Sequence, residues 1–231
     1  MLHESAIRSY FLGLVGGAGI LVTLVHCEVW TWGVYMLAMS VFHFGEFYVT
    51  ARFNSKVVNL DSFLLNHSNE YLIAAAVSWA EFWLEQWLFP SVKQVSGLVY
   101  LGLVLIVVGD GIRKYAMYTA GVSFNHLVQD TKKDDHTLIK HGLYGIVRHP
   151  SYMGWYLFSV GTQLLLVNPV CLVGYAVFIW KFFSERIVSE EYYLLRHFGE
   201  AYRDYQKQVP LTGVPFVQGC VPVVTRTPKQ E

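Results

Sequence analysis

The side chains best suited to chemistry lie in one polar stretch, residues 129–155, which holds His136, His141 and His149 together with Tyr144, Arg148, Ser151, Tyr152 and Trp155. Gly142, Gly145, Pro150 and Gly154 break it repeatedly, which predicts a rigid, multiply turned loop, a form that suits a ligand cradle better than a tether. Aromatic faces, with backbone carbonyls exposed at such breaks, suit a polar, adenosine-like cofactor with a positive centre. Further along, Arg186 and Glu190 stand four residues apart and share one helix face. A planar, always-charged guanidinium can clamp a carboxylate in two-pronged fashion. Because a carboxylate is already ionised at neutral pH, methyl transfer to it needs alignment and desolvation of two reactants and no general base.

Other chemistries fit the residues less well. His126, His136, His141 and His149 include no pair at i, i+4 and lack cysteine or carboxylate company, so no metal is expected. Ser151 with His149 lacks the turn context and orienting acid of a nucleophile pair. No GxGxxG or P-loop spacing occurs. Cys27, Cys171 and Cys220 are far apart and read as small packing residues. The formal net charge of zero leaves no basic surface for nucleic acid.

The elements that must position these residues are membrane-spanning. In 231 residues, 54% are hydrophobic and 15% charged, and the apolar residues come in blocks rather than at a helical or strand period. The expectation is an all-α polytopic membrane protein with about six transmembrane helices, at 10–25, 29–49, 71–89, 95–112, 153–167 and 170–183. No small-residue cleavage site follows the first run, which therefore reads as a retained span. Asn168-Pro169 predicts a tight helical-hairpin turn. Under the positive-inside rule this arrangement puts every one of the 17 lysines and arginines except Lys93 on one side. Lys132, Lys133, Arg226 and Lys229 are counted there. Both termini, the central loop and the C-terminal segment then face the cytosol.

Four segments follow: four spans in 1–118, a cytosolic cofactor-binding loop in 119–152, a helical hairpin in 153–184, and a cytosolic C-terminal helix and strap in 185–231. The strap is expected from Pro210, Pro215, Pro222 and Pro228. Gly13, Gly16, Gly17 and Gly19 let another helix approach the first span, Gly13 and Gly17 at GxxxG spacing. Glu81 and Glu85 lie at membrane depth, with His43, Glu46 or Arg52 as expected partners. Asp110 is expected to pair with Arg113 or Lys114 near a helix end.

Taken together, 124–129, 136–139, Gly142 with Tyr144, 148–155, Asn168-Pro169, Arg186 with Glu190-Glu191, and 198–205 followed by Val209-Pro210 resemble the isoprenylcysteine carboxyl methyltransferase family. Residues 61–68 resemble its eukaryotic members. The likeness covers nearly the whole chain. It implies transfer of a methyl group from S-adenosylmethionine to the C-terminal carboxylate of a prenylated cysteine, giving S-adenosylhomocysteine and a methyl ester. The protein substrates would be trimmed CaaX proteins such as small GTPases, at the endoplasmic reticulum membrane. The resemblance assigns cofactor contacts to Gln129, His136, Thr137, Leu138, Ile139, Tyr144, His149, Pro150, Ser151 and Tyr152, and catalytic, substrate-side roles to Arg186 and Glu190. Six spans rather than the eight usual in animal members implies a truncated chain or a shorter relative.

Three alternatives remain at this level. They are a phospholipid amine methyltransferase, an NADPH-dependent sterol reductase, and a membrane scaffold or channel with Glu46, Glu81 and Glu85 along its path.

Overall fold

The structure is a computed structural model and describes residues 1–66, 68–131 and 136–220. His67, Lys132, Lys133, and Pro222, Arg226, Pro228 and Lys229 of the expected strap lie outside them. Among the described residues there are seven α-helices and no strand: α1 (Leu2–Val25), α2 (Trp30–Phe53), α3 (Asn69–Leu88), α4 (Ser96–Ala120), α5 (Pro150–Leu166), α6 (Pro169–Phe198) and α7 (Glu200–Gln208). The first six coincide with the six apolar runs and extend beyond most of them. Length and composition suit only two for crossing a bilayer, Leu2–Val25 and Ser96–Ser123. Helix α5 has 17 residues and no charged side chain, whereas α2, α3 and α6 carry charged residues, of which Glu46, Glu81, Glu85 and Glu191 find partners in the packing.

Local signals set the helix ends. Ser68 Oγ accepts the Tyr71 amide at 3.2 Å and caps α3. Proline opens both α5 and α6, where its missing N–H costs nothing. Val167 in the left-handed region and Asn168 make the short turn between them, as Asn168-Pro169 predicts. Helix α6 is a single 30-residue helix, about 45 Å long at 1.5 Å per residue. The last apolar run and the charged segment after it are therefore one rod, and the boundary drawn after residue 184 falls inside it.

Helices α4 and α5 pack with their backbones almost touching. A Cβ on Gly109 would stand 2.5 Å from Phe158 N, and one on Gly161 2.9 Å from Ile106 N. Gly102 and Gly154 meet the facing helix just as tightly. Small residues permit this approach where side-chain burial alone gives little association energy. Helix α1 docks on α2 through Gly16 and Gly19, the latter against Gly33 O. Gly13 and Gly17 face open space, so their GxxxG spacing is not the internal contact. The core joins α2, α3 and α5 through Phe42 stacked on Phe158 at 4.4 Å and Trp32 stacked on Phe82 at 5.1 Å.

The acidic residues of α3 do not reach His43, Glu46 or Arg52 as expected. Glu81 accepts the amides of Val170 and Cys171, each at 2.7 Å, capping α6. Glu85 pairs with Lys93 at 2.6 Å. Lys93 is buried, and its ammonium also takes the carbonyls of Leu166 and Val167 and Asn168 Oδ1, all at 3.0 Å. The one cation assigned to the far side thus closes the C-terminus of α5. A sequence pattern shows that a carboxylate lies in an apolar run; which helix end comes within reach is decided by the bundle.

Candidate active site

The loop end of the bundle is built on Arg148 and Glu191. Arg148 Nε donates to Glu191 Oε1 at 2.7 Å, and its two terminal nitrogens hold the carbonyls of Val209, Pro210 and Gln218 at 2.7 to 2.8 Å. Glu191 also meets His149 Nε2 at 3.0 Å, Gln206 Nε2 at 3.0 Å and the Cys220 amide at 2.8 Å. The Arg148 and His149 amides bond to Leu211 O and Thr212 O. The Val209-Pro210 segment is therefore a strap tied across the start of α5. Burial pushes the Glu191 carboxyl up, but His149 and Arg148 outweigh it and hold it at about 2. His149 is spent on this link, and Ser151 Oγ accepts from Arg113 at 2.8 Å, so the two do not form a nucleophile pair.

Beside the strap lies a cavity of about 90 Å³. Nine of the assigned residues line it: His136, Thr137, Leu138, Ile139, Tyr144, His149, Ser151, Tyr152 and Glu190. Pro150 stands between two lining residues without lining the cavity itself, and Gln129 lies apart, its amide turned to Leu127 O at 3.1 Å. Phe124, Asn125, Tyr202 and Tyr205, which belong to the segments that carry the resemblance but were assigned no site role, complete the wall with Leu194. Tyr205 Oη donates to Tyr144 O at 2.7 Å and so locks the wall to α7. Burial raises the Tyr144 phenol above its ordinary value, which keeps it protonated and a donor, here toward Ala116 O at 3.4 Å.

Arg186 stands outside this wall, in a second, narrow cavity it shares with Asn125, His126, Tyr152, Trp155 and Phe182. Its Nε donates to Tyr152 Oη at 2.9 Å and one terminal nitrogen donates to His126 O. Tyr152 Oη in turn donates to Glu190. The two residues that share a helix face are thus bridged by the hydroxyl of Tyr152, whose ring stacks on His149 and on Phe183.

A buried ion cluster supports this arrangement from below. Glu46, fully buried on α2, takes Arg113 Nε and one Arg113 terminal nitrogen at 2.7 Å each, Lys114 at 2.7 Å and His126 Nε2 at 3.0 Å. Lys114 also meets Asp110 at 3.0 Å, the helix-end pair expected from the spacing. Arg113 does not join that pair but crosses to α2 and reaches Ser151. Glu46 therefore braces both the His126 carbonyl that holds Arg186 and the start of α5. The three acids of the channel alternative are each engaged in such contacts. Of the guanidiniums here, Arg113 and Arg148 each have a carboxylate; among the described residues no carboxylate forms an ion pair with Arg186.

A third, larger cavity of about 560 Å³ opens between α3, α5 and α6, within the usual range of about 300–1,000 Å³ for ligand pockets. Its walls are almost wholly apolar, including Val77, Tyr175, Phe178 and Ile179. It shares Trp155 and Phe182 with the Arg186 cavity, which shares Phe124, Asn125 and Tyr152 with the first. A line of three compartments results: a polar and aromatic one at the loop, a cationic neck, and an apolar chamber along the helices.

Residues 101–196 match the profile of the isoprenylcysteine carboxyl methyltransferase family. The protein-S-isoprenylcysteine O-methyltransferase of Xenopus laevis is 49% identical over 218 residues, 94% of this chain and 75% of that protein. The human enzyme of the same name is 49% identical over 217 residues, covering 94% and 76%. The Saccharomyces cerevisiae enzyme is 41% identical over 223 residues, covering 94% and 92%. A solved structure of a eukaryotic intramembrane Ras methyltransferase superposes with a TM-score of 0.91 at 46% identity, covering 94% of this chain and 77% of that one.

Proposed function

The chain belongs to the isoprenylcysteine carboxyl methyltransferase family, and we propose that it is an integral membrane enzyme that methylates the C-terminal carboxylate of prenylated cysteine, with S-adenosylmethionine as the methyl donor. The observation that carries this reading is Arg186, a guanidinium that forms no ion pair with a carboxylate among the described residues, at the neck between a polar cavity and an apolar one. A prenylcysteine has the matching parts: an acid that needs a cation and a hydrocarbon that needs an apolar chamber.

The first cavity fits the chemistry of the donor. Bound there, S-adenosylmethionine would supply an electrophilic methyl on a sulfonium. Glu190 and the rings of Tyr144 and His149 in the wall present negative and π surface to such a positive centre. A nucleoside-sized group requires 123–125 and 136–139 to stand further apart than they do here, because about 90 Å³ is below the usual ligand-pocket range of about 300–1,000 Å³.

This chain's residues then position and desolvate. Arg186, held by Tyr152 and His126 O, turns its remaining N–H groups to the acceptor carboxylate and fixes its angle. Tyr152 spaces that carboxylate from Glu190, so acceptor and donor do not compete for one charge. Trp155 and Phe182 exclude water from the neck, which sharpens the attraction and strips the nucleophile. No side chain has to take a proton. An amine acceptor, as in a phospholipid methyltransferase, would be repelled by the same guanidinium.

In this reading α1 to α6 all span the bilayer, the loop end faces the cytosol, the host membrane is that of the endoplasmic reticulum, and the substrates include small GTPases after CaaX trimming. The partition that leaves only Lys93 on the far side supports the orientation.

The test is transfer of labelled methyl from S-adenosylmethionine to N-acetyl-S-farnesylcysteine by the purified chain in detergent, with the S-farnesylcysteine methyl ester as blocked control. Label in a base-labile ester is the expected result. Binding of S-adenosylhomocysteine without any transfer would refute the acceptor assignment.

A further inference from the structure

We infer that Gly174 on α6 sets the length of prenyl chain that the apolar chamber accommodates, a specificity role that rests on reading this chamber as the prenyl site. The chamber follows one face of α6 from Phe183 to Val170, with Gly174 in its wall. At its far end lie Val170 and Cys171, whose amides are held by Glu81 of α3. Val77 of α3 and Ser159 of α5 line the same chamber.

Helical rise converts sequence into depth. From Arg186 the helix descends about 18 Å to Gly174 and about 22 Å to Cys171, at 1.5 Å per residue. With single bonds of about 1.5 Å, four chain bonds advance about 5 Å, so a cysteine from carboxyl to thioether carbon and each isoprene unit add about 5 Å apiece. A chain of two units then ends near 15 Å, three near 20 Å and four near 25 Å from the carboxylate. The third unit passes Gly174 and the fourth reaches past Cys171 to the far end of the chamber. The Arg186 side chain leans toward the N-terminus of its helix, so a carboxylate held there starts nearer Gly174 and every chain end lies correspondingly deeper, the shorter chains still reaching less far than the longer.

The absence of a side chain at Gly174 is what leaves that passage open. A Cβ built there meets no heavy atom within 4 Å, whereas Cβ atoms on Gly102, Gly109, Gly154 and Gly161 run into the backbone of a facing helix. Those four glycines serve packing, and Gly174 does not. A larger side chain at 174 can be added without displacing a helix, and it would take up room inside the chamber.

The test is the series Gly174→Ala, Gly174→Val and Gly174→Leu, with S-adenosylhomocysteine binding as the measure of an intact fold. The readouts are kcat/KM for the S-farnesyl and S-geranylgeranyl forms of N-acetylcysteine, and the inhibition constant of the shorter S-geranyl analogue. We expect losses that grow with side-chain volume. With Leu, the geranylgeranyl value should fall at least about tenfold, as for about two methylenes denied burial. The farnesyl value should fall less, and the geranyl inhibition constant should move least. Should Gly174→Leu fail to fold, the Ala and Val variants carry the same comparison. An equal loss at all three lengths would overturn the inference, and so would unchanged turnover of both long substrates. Wild-type chain that binds S-adenosylhomocysteine and methylates neither substrate would instead overturn the proposed function.

Discussion

Replacing Arg186 tests the division of labour at the neck. On the proposed clamp, Arg186→Ala takes the charge-assisted partner from the acceptor carboxylate, while Glu191, Arg148 and the strap are untouched. Arg186 is half-buried, so the loss is smaller than for a fully desolvated pair. Truncating one partner of a buried charge pair costs about 2–5 kcal/mol, and discounting for partial exposure leaves about 2–4 kcal/mol. At 1.36 kcal/mol per tenfold, that is about a 30- to 1,000-fold fall in kcat/KM for N-acetyl-S-farnesylcysteine. Arg186→Lys keeps the charge but cannot reach Tyr152 Oη and His126 O and still present a fork, so it should recover only part of the loss. The assay is labelled-methyl transfer beside calorimetric titration of S-adenosylhomocysteine, whose affinity should stay near the wild-type value. Turnover within about threefold of wild type, under 1 kcal/mol, would refute the carboxylate-clamp argument. Equal loss of turnover and S-adenosylhomocysteine affinity would place Arg186 in the cofactor wall instead.

Tyr144→Ala should show the opposite pattern, weakening S-adenosylhomocysteine binding about tenfold through loss of an aromatic wall, with a smaller effect on the acceptor KM. Gly109→Val drives a side chain into the Phe158 backbone; overpacking costs about 1–3 kcal/mol or more, which should appear as a lower melting temperature in detergent. The Glu191 carboxyl lies at about 2 in the folded chain against an ordinary 4.5. A carboxyl depressed by folding contributes stability that is present above 4.5 and is lost as pH falls toward 2. The strap should therefore release in that window, measured as protease cleavage near 209–220, and Glu191→Gln should release it at neutral pH.

The bundle and the site differ in how far the sequence reveals them. Apolar blocks, the proline starts of α5 and α6 and the Asn168-Pro169 turn are local signals, and helices follow from them because every helical hydrogen bond closes within four residues. Of the loop residues, Tyr144, His149 and Tyr152 were legible from their aromatic character in a broken loop, and His136 to Ile139 and Ser151 only through the family resemblance; being close in sequence, they reach one cavity together. Arg186 and Glu190 could be paired from helical spacing, but the tyrosine that stands between them comes from α5.

Contacts across helices were a different matter. Arg113 has Asp110 three residues away, yet it bonds to Glu46, 67 positions distant, and leaves Asp110 to Lys114. Glu81 had candidate partners in α2 and instead caps α6. Glu191 was visible only as the second half of a Glu-Glu pair, although four groups from three segments converge on it. By itself the sequence determined the helices, their ends and the residue types that the loop brings together. Only the tertiary structure decided which buried charge meets which. A charge at membrane depth must find a partner, but which partner is within 3 Å depends on the rotation and depth of packed helices, and close-packed glycines set those in three dimensions.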